Sequence, residues 1–143
     1  MGTAFIPVFE DAESHWPDDL CGKCLAKAAN LLDKHCKELS IPTLFDFFSM
    51  TRETMITEVL DGDPEDPTTY DEALIPDEKW FDTSDGLATV KPLIDFVRAN
   101  KSRFAKFDPL DLPDCVLQDL ESFERHLSRA AERGVRWHLL IDY

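Results

Sequence analysis

Side chains able to do chemistry gather in three places in this chain of 143 residues. The first is Cys21-Gly22-Lys23-Cys24, where two sulfurs three residues apart can meet at a helix start, a place that favours thiolate. Against redox work stand Asp18 and Asp19, whose charges disfavour a neighbouring anion, and the way both cysteines extend an apolar helical stripe. Cys21, Cys24 and Cys36 are therefore expected to be reduced packing residues. A small thiol- or metal-dependent enzyme centred on Cys21 and Cys24 is the alternative.

The metal form of that alternative draws on His15, Cys21, Cys24, His35 and Cys36, ligands of the kinds zinc takes. On a straight helix rising ~1.5 Å per residue, positions 24 and 36 lie about three turns apart, too far to share one ion. There is no second Cys-x-x-Cys pair and no His pair elsewhere. Neither a metal ion nor a cofactor is expected.

The second place is acidic. Asp61, Asp63, Glu65 and Glu72 fall at spacings equivalent to positions 1, 3, 5 and 12 of a calcium loop. Asp66 occupies the position where such a loop needs Gly for its sharp turn, Pro67 follows, and Thr68 lacks the apolar side chain that pairs loops. The segment reads as a solvated acidic loop.

The third is Asp82-Thr83-Ser84-Asp85-Gly86, at a helix start with free backbone donors. Its two carboxylates would repel an anion, so it reads as an N-cap. His126 and His138 read as packed or surface residues, and Glu121, Glu124 and His126 do not form the Glu-x-x-His pattern of helix-bundle metal sites. No nucleophile elbow, P-loop or dinucleotide-binding glycine pattern occurs, and no catalytic residue is assigned.

The elements that must position these groups follow from hydrophobic period. Residues 4–9 are a strand confined by Pro7 to an edge. Residues 17–39 form a helix with Cys21, Cys24, Leu25, Ala28, Leu31, Leu32, Cys36 and Leu39 on one face and Lys23, Lys27, Asn30, Lys34 and Lys37 on the other. Thr43 caps a short helix whose Leu44, Phe45, Phe47 and Phe48 are expected to be buried. A helix over residues 51–60 is stopped by Gly62 and Pro64, and Tyr70, Leu74 and Ile75 pin the loop that follows.

A further helix begins at residues 82–84, faces Leu87, Val90, Ile94 and Val97 inward and is kinked by Pro92. After a turn-like FDPLDLP segment, Pro113 opens a helix with Val116, Leu120, Phe123, Leu127 and Ala130 as its stripe, ended by Gly134. From Val135 onward the alternation has period two, which predicts a strand. That strand needs a partner for its backbone groups. Residues 4–9 are the best candidate, and the same strand of a second copy, giving a homodimer, is the other.

The resulting fold class is mainly α (α+β). We expect a compact bundle of four or five helices with a short terminal β-strand pair, one domain over residues 1–143 with an acidic surface loop at about 61–79. Its core is built around Phe45, Phe48, Leu87, Val90, Ile94, Val97, Leu120, Phe123, Leu127, Trp137 and Leu139.

Charge narrows the partners. With 29 Asp and Glu against 15 Lys and Arg, the formal charge of -14 repels nucleic acid and anionic membrane surfaces and attracts cations. No stretch approaches the ~20 apolar residues of a membrane span, and a cytoplasmic location is expected. The leading functional expectation is a non-enzymatic interaction or regulatory module that binds a basic protein through Asp61, Asp63, Glu65, Asp66, Asp71 and Glu72, with Tyr70 as an anchor.

Overall fold

The computed structural model describes residues 2–11, 20–104 and 112–142. His15, the expected helix start at Pro17, Asp18 and Asp19, and residues 107–111 of the FDPLDLP segment lie outside them. β1 (Ala4–Phe9) and β2 (Trp137–Asp142) pair antiparallel, with Ala4 opposite Asp142 and Phe9 opposite Trp137. The terminal strand pair expected from the period-two pattern is thus formed within the chain. Along its second edge β2 meets Phe81, which exchanges backbone hydrogen bonds of 2.8 and 2.9 Å with Trp137, and Phe48, which bridges to Leu139.

Six α-helices are present among the described residues. These are α1 (Lys23–Lys27), α2 (Ala29–Glu38), α3 (Arg52–Thr54), α4 (Thr83–Ala99), α5 (Lys101–Phe104) and α6 (Leu112–Glu132). The fold is mainly α with a small antiparallel sheet, as the hydrophobic pattern indicates. The single helix expected over residues 17–39 is instead two, divided by a turn at Ala28. α1 packs on β1 and α6 whereas α2 packs on α4, and one straight rod could not serve both sets of neighbours. Pro92 sits inside the continuous α4, and Gly134 ends the chain's longest helix in the left-handed region at φ 67°.

Two compact units are distinguished, Met1–Phe48 with Trp80–Tyr143, and Ser49–Lys79. The first holds the main core, where α4 and α6 lie against each other and bring Val90, Leu93, Val97, Leu120, Phe123 and Leu127 together with Trp137 and Leu139, all fully buried. Each such side chain contributes about 1.5–3 kcal/mol relative to exposure. The Trp137 indole lies on the backbone of α4 at Gly86, where a Cβ would stand 2.6 Å from Cζ2.

Two expected core residues are not in it. Phe45 is 43% and Phe48 36% exposed, while Leu44 and Phe47 are buried. The reason is the helix type. Residues Leu44–Phe47 form a 3-10 turn, in which positions three apart eclipse, so 44 and 47 share the inner side and 45 and 48 the outer. His138, read from the sequence as a packed or surface residue, is buried and stacks on Trp80 at 4.4 Å. Trp80 covers the outer side of β2 only at His138; on the same side Leu140 is half-buried and Asp142 exposed, while Trp137, Leu139 and Ile141 face the core.

The second unit is a short α3, a π turn over Met55–Val59 and two 3-10 turns at Pro67–Thr69 and Glu72–Leu74. The Ser49 hydroxyl accepts the Lys79 N–H at 2.8 Å and joins its ends. Among the described residues no helix is long and apolar enough to cross a membrane.

Candidate functional site

Gly22 adopts φ 74°, and its carbonyl accepts the Phe5 N–H of β1 at 3.0 Å. A Cβ at this position would lie 2.5 Å from the Phe5 carbonyl oxygen, so the Cys-Gly-Lys-Cys segment can fold onto β1 only with glycine here. Having no side chain, Gly22 cannot cap α1. The acceptor comes instead from α6. Asp119 accepts the backbone N–H of Leu25 at 3.2 Å, and the backbone amides of Gly22 and Cys21 also favour its charged form.

This carboxylate is 2% exposed. Burial holds its pKa above the usual carboxylate range, and the backbone amides of Gly22, Leu25 and Cys21 oppose that shift without cancelling it. Asp119 stands one helical turn after Cys115 on the same face of α6. Cys115 is disulfide-bonded to Cys24, with 5.8 Å between Cα atoms and 91 residues between the partners.

The expectation that Cys21, Cys24 and Cys36 are reduced packing residues is therefore corrected for two of the three. Cys24 is half of a disulfide, and Cys21 is an exposed free thiol outside the helix. Cys36 alone packs in the core, where burial first, then the charges of Asp33 and Asp46, push its thiol up to about 11. Of the residues weighed and set aside as zinc ligands, His35 stacks on Phe96 at 3.9 Å and Cys36 is buried in the core, and neither clusters with Cys21 or Cys24.

Among the described residues, one group of three His, Cys, Asp or Glu side chains brings its donor atoms within 4.8 Å of one another: Cys24, Cys115 and Asp119. Its two sulfurs are bonded to each other, and a disulfide sulfur is not the thiolate that metals take. Sequence reasoning singled out Cys24 but missed both partners. The available signal was Asp119 itself, a carboxylate set within the apolar stripe of Val116, Leu120 and Phe123.

The acidic residues assigned to partner binding all lie in the second unit, and all but half-buried Tyr70 are exposed. Several carboxylates shape their own backbone. Asp63 accepts the Glu65 N–H at 2.9 Å, Asp66 the Thr68 N–H at 3.0 Å and Asp71 the Ala73 N–H at 3.0 Å. Glu72 pairs with Arg52, which also donates to the Tyr70 hydroxyl at 2.9 Å, so Tyr70 is engaged within the unit. Leu74, expected to pin the loop, is 58% exposed, and Val59 is 53% exposed. Asp61, Asp63, Glu65 and Glu72 do not gather as calcium ligands would.

Comparison of the chain with protein-family models, curated proteins and solved structures finds no match.

Proposed function

We propose that the protein is a non-enzymatic association module that binds a basic protein partner through the unit Ser49–Lys79, in a cytoplasmic setting. The observation that carries this reading is the concentration of charge. That unit holds ten Asp and Glu against two Lys and Arg, a net charge of -8 out of the chain's -14. Such a patch speeds encounter with a cationic surface and makes it salt-sensitive.

Charge alone gives little affinity, since a binding patch also needs a desolvated apolar centre. Val59 and Leu74 are exposed in the same unit and suit that role better than Tyr70, which Arg52 already holds. Asp61, Asp63, Glu65, Asp66, Asp71 and Glu72 form the surrounding acidic surface. Asp66 and Asp71 cap the two 3-10 turns, so the carboxylates are presented by an ordered backbone rather than a loose tail.

The test compares proteins retained from native lysate by the immobilised chain with those retained by a D61N, D63N, E65Q, D66N, D71N and E72Q variant. Amides keep the oxygen acceptors that cap the turns and remove only the charge. Basic proteins should bind the wild type at low salt and be lost from the variant and at high salt. Equal retention by both forms, or none by either, overturns the reading.

A further inference from the structure

The Cys-Gly-Lys-Cys segment and α6 carry three cysteines, of which Cys24 and Cys115 are joined in a disulfide and Cys21 is free. The backbone amide of Cys21 acts on the Asp119 carboxylate, one oxygen of which lies within 4.8 Å of both disulfide sulfurs. The backbone of Cys21 thus approaches the carboxylate that caps α1 and adjoins the Cys24–Cys115 bond. The Cys21 side chain is exposed and unbonded, and the left-handed turn at Gly22 separates it from Cys24 by only three positions.

We propose that Cys21, Cys24 and Cys115 form a thiol–disulfide exchange site in which Cys21 is the entering nucleophile, Cys24 the central sulfur and Cys115 the leaving sulfur. The Cys21 thiolate attacks Cys24 Sγ. A Cys21–Cys24 bond forms, the Cys24–Cys115 bond breaks, and its electron pair leaves on Cys115 Sγ. Cys21 gives its proton to solvent and Cys115 takes one up. One thiol and one disulfide stand on each side, so no external oxidant or reductant enters.

The exchange replaces a closure spanning 91 residues by one spanning three and releases the start of α6 from α1. It also suits a cytoplasmic setting, where disulfides are usually transient rather than structural. This inference is independent of the acidic unit and survives if the partner-binding reading fails.

Disulfide mapping tests it. The purified full chain is oxidised with one equivalent of diamide, incubated near neutral pH, quenched in acid, alkylated and digested. Trypsin cuts after Lys23, between the two cysteines, so a Cys21–Cys24 disulfide appears as a linked peptide pair. In the wild type we expect both the Cys24–Cys115 and the Cys21–Cys24 pairs, with alkylation of Cys115 rising as that of Cys21 falls. Should the wild-type equilibrium favour Cys24–Cys115 beyond detection, Cys115→Ser still forms the Cys21–Cys24 pair in most of the protein. The proposal is overturned if neither protein contains that pair, whether Cys21 stays alkylatable, the wild type forms no disulfide, or the variant links only between molecules.

Discussion

Leu25 donates its main-chain N–H to the Asp119 carboxylate at 3.2 Å, across 94 positions of sequence. The short α1 has no side-chain cap of its own, so a residue of α6 does the work a local Ser or Asp usually does. Asp119→Ala strands the buried Leu25 N–H and should cost about 1–3 kcal/mol in urea unfolding. Asp119→Asn keeps an oxygen acceptor and should recover most of that loss. Equal stability of the alanine variant and the wild type would remove the capping role.

The same carboxylate makes stability depend on pH. Its folded pKa is raised above the unfolded value near 3.8, chiefly by burial, so the folded state holds the proton more tightly. The stabilisation is complete below the unfolded value and is lost as pH rises through the folded one. Asp119→Asn does not titrate. Wild-type stability relative to this variant should therefore fall as pH rises from about 3 to 7, and a constant or growing advantage would contradict the assignment.

Loss of the Cys24–Cys115 disulfide should destabilise the chain by about 2–5 kcal/mol, the range for removing a native bridge, because it restrains a long loop in the unfolded state. Cys24→Ser, which also removes the exchange route through Cys21, is the clean variant. Its midpoint in urea should fall below that of the wild type without reductant, and dithiothreitol should bring the two together. A difference that persists in reductant would point to packing rather than the covalent link.

Gly86→Ala adds a methyl group where the Trp137 ring already lies against α4. Overpacking of this kind costs about 1–3 kcal/mol and outweighs the better helix propensity of alanine. Thermal unfolding followed by tryptophan fluorescence should show a lower Tm. A rise in Tm would mean that the Trp137 ring moves aside freely.

Calcium should not bind with micromolar affinity. Asp63 and Asp66 are used in backbone caps, Glu72 pairs with Arg52, and the four carboxylates at calcium-loop spacing do not converge. Isothermal titration should give no saturable heat at micromolar calcium. A saturable signal abolished by Asp61→Ala or Glu72→Ala would show that the loop closes around the ion.

Much of the architecture can be read along the chain. The stripe of Val116, Leu120, Phe123 and Leu127 marks both the helix α6 and its buried face, and Leu87, Val90, Ile94 and Val97 do the same for α4. The failures come where the local rule changes. A 3-10 turn moved Phe45 and Phe48 outward, and a turn at Ala28 divided the helix expected over residues 17–39.

By itself the sequence determined the mainly helical class, the terminal strand pair, the inward faces of α4 and α6 and the clustering of negative charge. These follow from repeats of 3.6 and 2 and from composition, which are properties of neighbouring residues. Only the tertiary structure decided that Cys24 bonds Cys115, that Asp119 caps α1 and that Cys21 is left exposed and unbonded. Those relations join positions more than 90 residues apart. They arise from where packed elements bring side chains together, and no local pattern encodes that.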